Sequence, residues 1–145
     1  MTHDDAAPTI GYQLKRVQTA LRAAMDAALR AHGLTTPQYA CMELLGRRPE
    51  LSNAELARGT FVTRQSMNVV LHNLEEAGLV SRPASAPSGR ALPTRLTEAG
   101  ERALEAARAD VLAIERRMTA GLDQAQAQVL LRQLDAMAEA LSRPE

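Results

Sequence analysis

Apolar positions recur every three or four residues along most of this chain. Ile10, Leu14, Val17, Leu21, Met25 and Ala28 form one stripe, the spacing of an amphipathic helix. The stripe predicts a first helix from about Ile10 to His32, with Thr9 as its cap and Gly33 as a left-handed stop. A helix that long carries more apolar face than a 145-residue monomer can cover. Thr35-Thr36-Pro37-Gln38 has capping-box spacing with proline in the first turn. It predicts a second helix to about Arg48, with Tyr39, Met42 and Leu45 inward and Pro49 as the stop. Ser52-Asn53-Ala54-Glu55 is an S-x-x-E capping box that opens a short third helix ending near Gly59. Thr63 caps a fourth helix to Ala77, with Met67, Val70, Leu71 and Leu74 inward and Gly78 as its C-cap.

The pattern changes over residues 79–96. Leu79-Val80-Ser81-Arg82 predicts a short strand. Pro83 to Gly89 is rich in Pro, Ala, Ser and Gly and predicts a loop. Arg90 to Leu96 returns as a second strand, in which Pro93 removes a ladder donor. A fifth helix follows from Thr97 to about Thr119, and Gly121 breaks it. Asp123 to Gln126 repeats the capping-box spacing, and the last helix lines up Leu130, Leu134, Met137 and Leu141. The predicted architecture is mostly α, with a small β-hairpin. Residues 33–96 form a middle lobe of short helices and the hairpin, flanked by the long helices of residues 1–32 and 97–145.

Composition agrees with helices. Ala and Leu number 27 and 20, and both are strong helix formers. The only aromatic residues are Tyr12, Tyr39 and Phe61, too few for base-stacking platforms on single strands. Charged residues interrupt every apolar stretch, so no membrane span is predicted. Met1-Thr2-His3-Asp4-Asp5 lacks the basic and apolar regions of a signal peptide. The single cysteine, Cys41, has no internal partner, and a reducing cytoplasm is expected. The three histidines have no metal-ligand neighbours at useful spacing. No Gly-rich phosphate loop, nucleophile elbow or CxxC is present, so neither an enzyme nor a cofactor is expected. Net charge is zero but uneven. Residues 52–96 hold five arginines against three glutamates, a net of +2, whereas residues 97–145 sum to −3.

Two short helices, a tight turn, a third element with a polar outward face, and a hairpin describe a winged helix-turn-helix. With the apolar set of the fourth helix buried, Arg64, Gln65, Asn68 and His72 point outward, and Thr63 and Ser66 stand at the leading turn. Arg pairs with guanine edges and Gln or Asn with adenine edges, and a recognition helix presents its N-terminal residues to them. Asn53, at the start of the third helix, Arg82, at the end of the first strand, Ser88, in the loop, and Arg90, at the start of the returning strand, complete the candidate DNA-contacting set.

These residues carry a resemblance. Gly33-Leu34-Thr35-Thr36-Pro37-Gln38-Tyr39-Ala40, Leu51-Ser52-Asn53-Ala54-Glu55-Leu56-Ala57, Val62-Thr63-Arg64-Gln65-Ser66, Leu74 to Val80 and Arg95 to Gly100 together resemble the MarR family of bacterial transcription regulators. The likeness runs in order over nearly the whole chain. It implies a homodimer built from the first, fifth and sixth helices. It also implies a pseudo-palindromic double-stranded DNA operator and, often, relief of repression by a small phenolic or otherwise aromatic effector. The family's wing carries Asp-x-Arg. Here Ser88-Gly89-Arg90 stands in its place, with Arg90 kept and serine where the bracing aspartate would be.

Several residues admit two readings. Met25, Tyr39 and Met42 suit either core packing or a small-molecule pocket, and His32 suits either the C-terminal dipole of its helix or that pocket. Cys41 suits a buried hydrophobe better than an oxidant sensor. Arg47 and Arg48 suit either phosphate contacts or the C-terminal dipole of their helix. A helical interaction module, or a small-molecule binder without DNA, is the rival class. The Arg64/Gln65/Asn68 face argues against it.

Overall fold

The computed structural model describes residues 8–82 and 94–144. The elements follow the predicted order: α1 (Ile10–Arg30), α2 (Thr36–Arg47), α3 (Asn53–Gly59), α4 (Arg64–Glu76), β1 (Val80–Ser81), β2 (Arg95–Leu96), α5 (Glu98–Met118) and α6 (Gln124–Ser142). Local chemistry sets the boundaries. The Thr9 hydroxyl accepts the Tyr12 N–H. Thr35 with Gln38, Ser52 with Glu55, and Asp123 with Gln126 each form both bonds of a capping box, which satisfies amides that a helix start leaves unpaired. Gly33 and Gly78 adopt φ of 69° and 76°, the left-handed region that terminates α1 and α4.

The strands are shorter than predicted. Val80 pairs with Leu96 and Ser81 with Arg95, antiparallel, while Leu79 and Arg82 lie outside the ladder. Residues 83–93, including Ser88, Arg90 and the Pro93 position, fall outside the described residues. Leu79 is instead tied to the start of α5. Its carbonyl accepts the Thr97 N–H at 3.1 Å, and the Thr97 hydroxyl donates to the Gly78 carbonyl at 2.7 Å. A β-carbon on Gly100 would stand 2.0 Å from the Leu79 carbonyl oxygen. Only glycine therefore lets α5 begin against this turn.

Contacts divide the chain into two compact units, Met1–Val111 and Leu112–Glu145. The first holds one core. Leu29 from α1, Met42 and Leu45 from α2, Leu56 from α3, and Met67, Leu71 and Leu74 from α4 are fully or almost fully buried. Leu104 and Ala107 of α5 join the same cluster. Each of these Leu and Met side chains contributes roughly 1.5–3 kcal/mol by leaving water. The inward set expected for α4 is the observed one, with Val70 only partly covered. The second unit holds the end of α5 and all of α6, which has no buried residue. Leu130, Leu131, Leu134 and Leu141 are exposed there, as are Ile10, Leu14 and Val17 in the first half of α1.

Candidate nucleic-acid interface

Helices α3 and α4 are joined by the turn Thr60-Phe61-Val62. The Thr60 N–H donates to the Leu56 carbonyl and the Val62 N–H to the Ala57 carbonyl, both at 3.0 Å. These bonds fix where α4 starts. Thr63 then caps it: its hydroxyl accepts the Ser66 N–H and donates to the Ser66 hydroxyl, both at 3.0 Å. Met67, Leu71 and Leu74 hold one side of α4 in the core, and the opposite side faces solvent. Arg64, Gln65, Ser66, Asn68, Val69 and His72 are all exposed on it.

The electrostatics of this end are one-sided. The first turn of α4 contains no acid, and Arg64 puts a cation where the helix dipole disfavours one. No acidic residue occurs between Glu55 and Glu75, a stretch that holds Arg58, Arg64 and His72. Free amide N–H groups and an arginine at a helix start suit phosphate and base-edge acceptors.

Asn53, the first residue of α3, does not stand apart from this face. Its side-chain amide donates to Asn68 Oδ1 at 3.0 Å. The contact occupies the Asn68 carbonyl oxygen, on a residue that is exposed to solvent. His72 Nε2 lies 3.2 Å from Glu76 Oε1, with both side chains exposed, so a carboxylate accompanies the candidate phosphate contact. Arg82 is half-buried at the end of β1. Ser88 and Arg90 lie outside the described residues.

The four ligand-pocket candidates belong to the core or its edge. Met42 and Tyr39 are buried, Met25 packs partly covered against the core cluster, and His32 Nε2 lies 2.7 Å from Asp110 Oδ2 of α5. Tyr39 leads to a polar hub that sequence reasoning did not find. Its hydroxyl donates to Glu43 at 3.0 Å, and Glu43 also accepts from Arg47 at 3.1 Å and Arg108 at 3.2 Å. Burial pushes the Glu43 carboxyl up. The hydrogen bonds from Arg108 and Tyr39, together with the Arg108 and Arg47 charges, outweigh burial and hold it below the usual range. Burial, then the Glu43 bond and charge, push Tyr39 up to about 12. The i, i+4 spacings of Tyr39, Glu43 and Arg47 were visible in the sequence, but Arg108 is 65 residues away.

Arg47 pairs with Glu43 at 3.1 Å and Arg48 with Glu50 at 3.3 Å, each with the arginine exposed. Cys41 is buried without a partner, and burial pushes its thiol up to about 12. A thiolate is the reactive form, so this environment keeps Cys41 inert. Among the described residues no helix is long and apolar enough to cross a membrane. No group of three His, Cys, Asp or Glu among them could hold a metal ion.

A helix-turn-helix with an exposed polar recognition face, followed by a two-stranded antiparallel hairpin, defines a winged helix-turn-helix protein. A sequence model described as the MarR family matches residues 32–91. The HTH-type transcriptional repressor Rv2887 of Mycobacterium tuberculosis is 46% identical over 133 residues, which cover 92% of this chain and 95% of that protein. The crystal structure of Rv2887 with salicylic acid matches at a TM-score of 0.72 and 46% identity, over 92% of this chain and 98% of that one. The Rv2887 complex with DNA matches at a TM-score of 0.69 and 41% identity, over 95% and 100% of the two chains. The chain belongs to the MarR family of transcriptional regulators.

Proposed function

We propose that this chain is a homodimeric repressor that binds a pseudo-palindromic double-stranded operator and is released by a small aromatic ligand. It acts in the cytoplasm and carries out no catalysis of its own. The exposed, acid-free N-terminal face of α4 carries this reading. Gln65 and Asn68 read base edges there, with Asn53 holding Asn68. Thr63, Arg64, Ser66, His72 and Arg82 meet the DNA at or beside those edges. Arg90, with Ser88 beside it, serves the minor groove from the wing. Residues 1–32 and 97–145 supply the dimer interface, and residues 33–96 supply the DNA lobe.

The ligand class follows from the relative whose structures contain salicylic acid and DNA. A bound aromatic carboxylate would release the operator by favouring a spacing of the two α4 helices that does not fit successive major grooves. The test is retention of a selected operator duplex at rising salt, with and without salicylate. Affinity should fall steeply with salt, as counterion release requires, and salicylate should weaken it further. Salt-independent retention would remove the DNA-binding reading, and indifference to salicylate would remove the ligand class.

A further inference from the structure

One side chain in the helix-turn-helix is unexplained by folding. Phe61 is 94% exposed, and its φ is 61°. Glycine adopts that conformation freely, and a ring-bearing residue does so only at a cost. The chain has three aromatic residues in all, and it places one of them where it is both strained and in water. A strained residue that packs against nothing in its own fold is a functional candidate.

Its position says what it would meet. Phe61 lies two residues before Thr63, the cap of α4, and the N-terminal residues of a recognition helix reach base edges in the major groove. The flanking cations are Arg58 and Arg64, and the surrounding segment has no acid. A protein-docking patch would surround the ring with further apolar groups, but its sequence neighbours are Thr60, Thr63 and the half-buried Val62. The major groove offers one protruding apolar group, the thymine C5-methyl, which phenylalanine contacts. Resting on the DNA-binding reading above, we propose that Phe61 packs on a thymine methyl at the edge of each half-site. It would add a T-specific apolar contact to the polar reading by Gln65 and Asn68.

The test uses the full-length protein and duplexes that it enriches from a random-sequence pool. Each thymine in a half-site is replaced singly by deoxyuridine, which removes only the methyl. One thymine per half-site should then cost the wild type roughly fourfold in affinity, the size of one buried methyl. The Phe61→Gly variant removes the ring and also relieves the backbone, so it should melt no lower than wild type. It should bind the thymine duplex about as weakly as wild type binds the uracil duplex, with no further loss on uracil. Unchanged affinity of the variant, a methyl penalty that persists in it, or uniform weakening without methyl dependence would each overturn the proposal. A wild type that enriches no duplex overturns the DNA-binding reading and this contact together. A wild type that enriches duplexes but is indifferent to every methyl overturns this contact alone.

Discussion

At the scale of single residues, the recognition face separates two kinds of contact. Gln65 is exposed on the first turn of α4, where its carboxamide offers both a donor and an acceptor to a base edge, whereas Arg82 follows β1 and is half-buried. Gln65→Ala should cost roughly 1–3 kcal/mol per half-site and relax preference at one position. Arg82→Ala should weaken all sequences about equally and flatten the salt slope by about one. Titrations of operator and single-base variants at two salt concentrations check both. Equal, sequence-independent weakening by the two variants would remove the base-reading role of Gln65. Asn68 differs from Gln65 because Asn53 occupies its oxygen, so its amide N–H groups are the ones suited to acceptors on the DNA.

At the scale of elements, Glu43 ties α2 to α5. Its carboxylate accepts from Tyr39, Arg47 and Arg108, and its side chain is only 19% exposed. Arg108 is the member contributed by α5, so the hub links the support helix of the DNA lobe to a helix assigned to the dimer. Glu43→Gln keeps one acceptor oxygen but removes the charge and puts an amide NH₂ where Arg47 and Arg108 donate, so it should cost about 1–3 kcal/mol. The pH dependence has a definite sign. The folded carboxyl sits below its ordinary value of 4.5, so its contribution is complete above that value and disappears as pH falls through the lower, folded one. Thermal melts of wild type and Glu43→Gln should therefore differ at neutral pH and converge in acid. A gap that stays constant from neutral pH into strong acid would show that the Glu43 charge contributes nothing.

At the scale of the whole molecule, the apolar faces of α1 and α6 exceed what the monomer covers. Ile10 is 65% exposed, and α6 buries no residue. Helical faces of this kind are stable in water only against a partner. The chain should sediment as a dimer of about twice 15.7 kDa, with no folded monomer at micromolar concentration. Leu134→Glu, on the exposed face of α6, should shift it toward monomer and weaken operator binding, because each protomer then meets its half-site alone. A wild type that sediments as a folded monomer would remove the dimer, and the pseudo-palindromic operator with it.

Element order and boundaries follow from the sequence because their causes are local. Capping boxes at Thr35, Ser52 and Asp123, left-handed glycines at 33 and 78, and the three-and-four spacing of Met67, Leu71 and Leu74 act within a few residues of each other. The outward set of α4 follows from the same periodicity, since burying one face of a helix fixes the other. Tertiary structure alone decided what depends on residues far apart in the chain. The Asn53 bond to Asn68, the Arg108 bond to Glu43, the Asp110 contact with His32 and the approach of Gly100 to Leu79 arise only when helices pack. The same holds for the two-residue strands, whose length is set by pairing with a partner strand. It holds too for Phe61, whose left-handed backbone and bare ring were invisible in a sequence pattern that records polarity but not conformation.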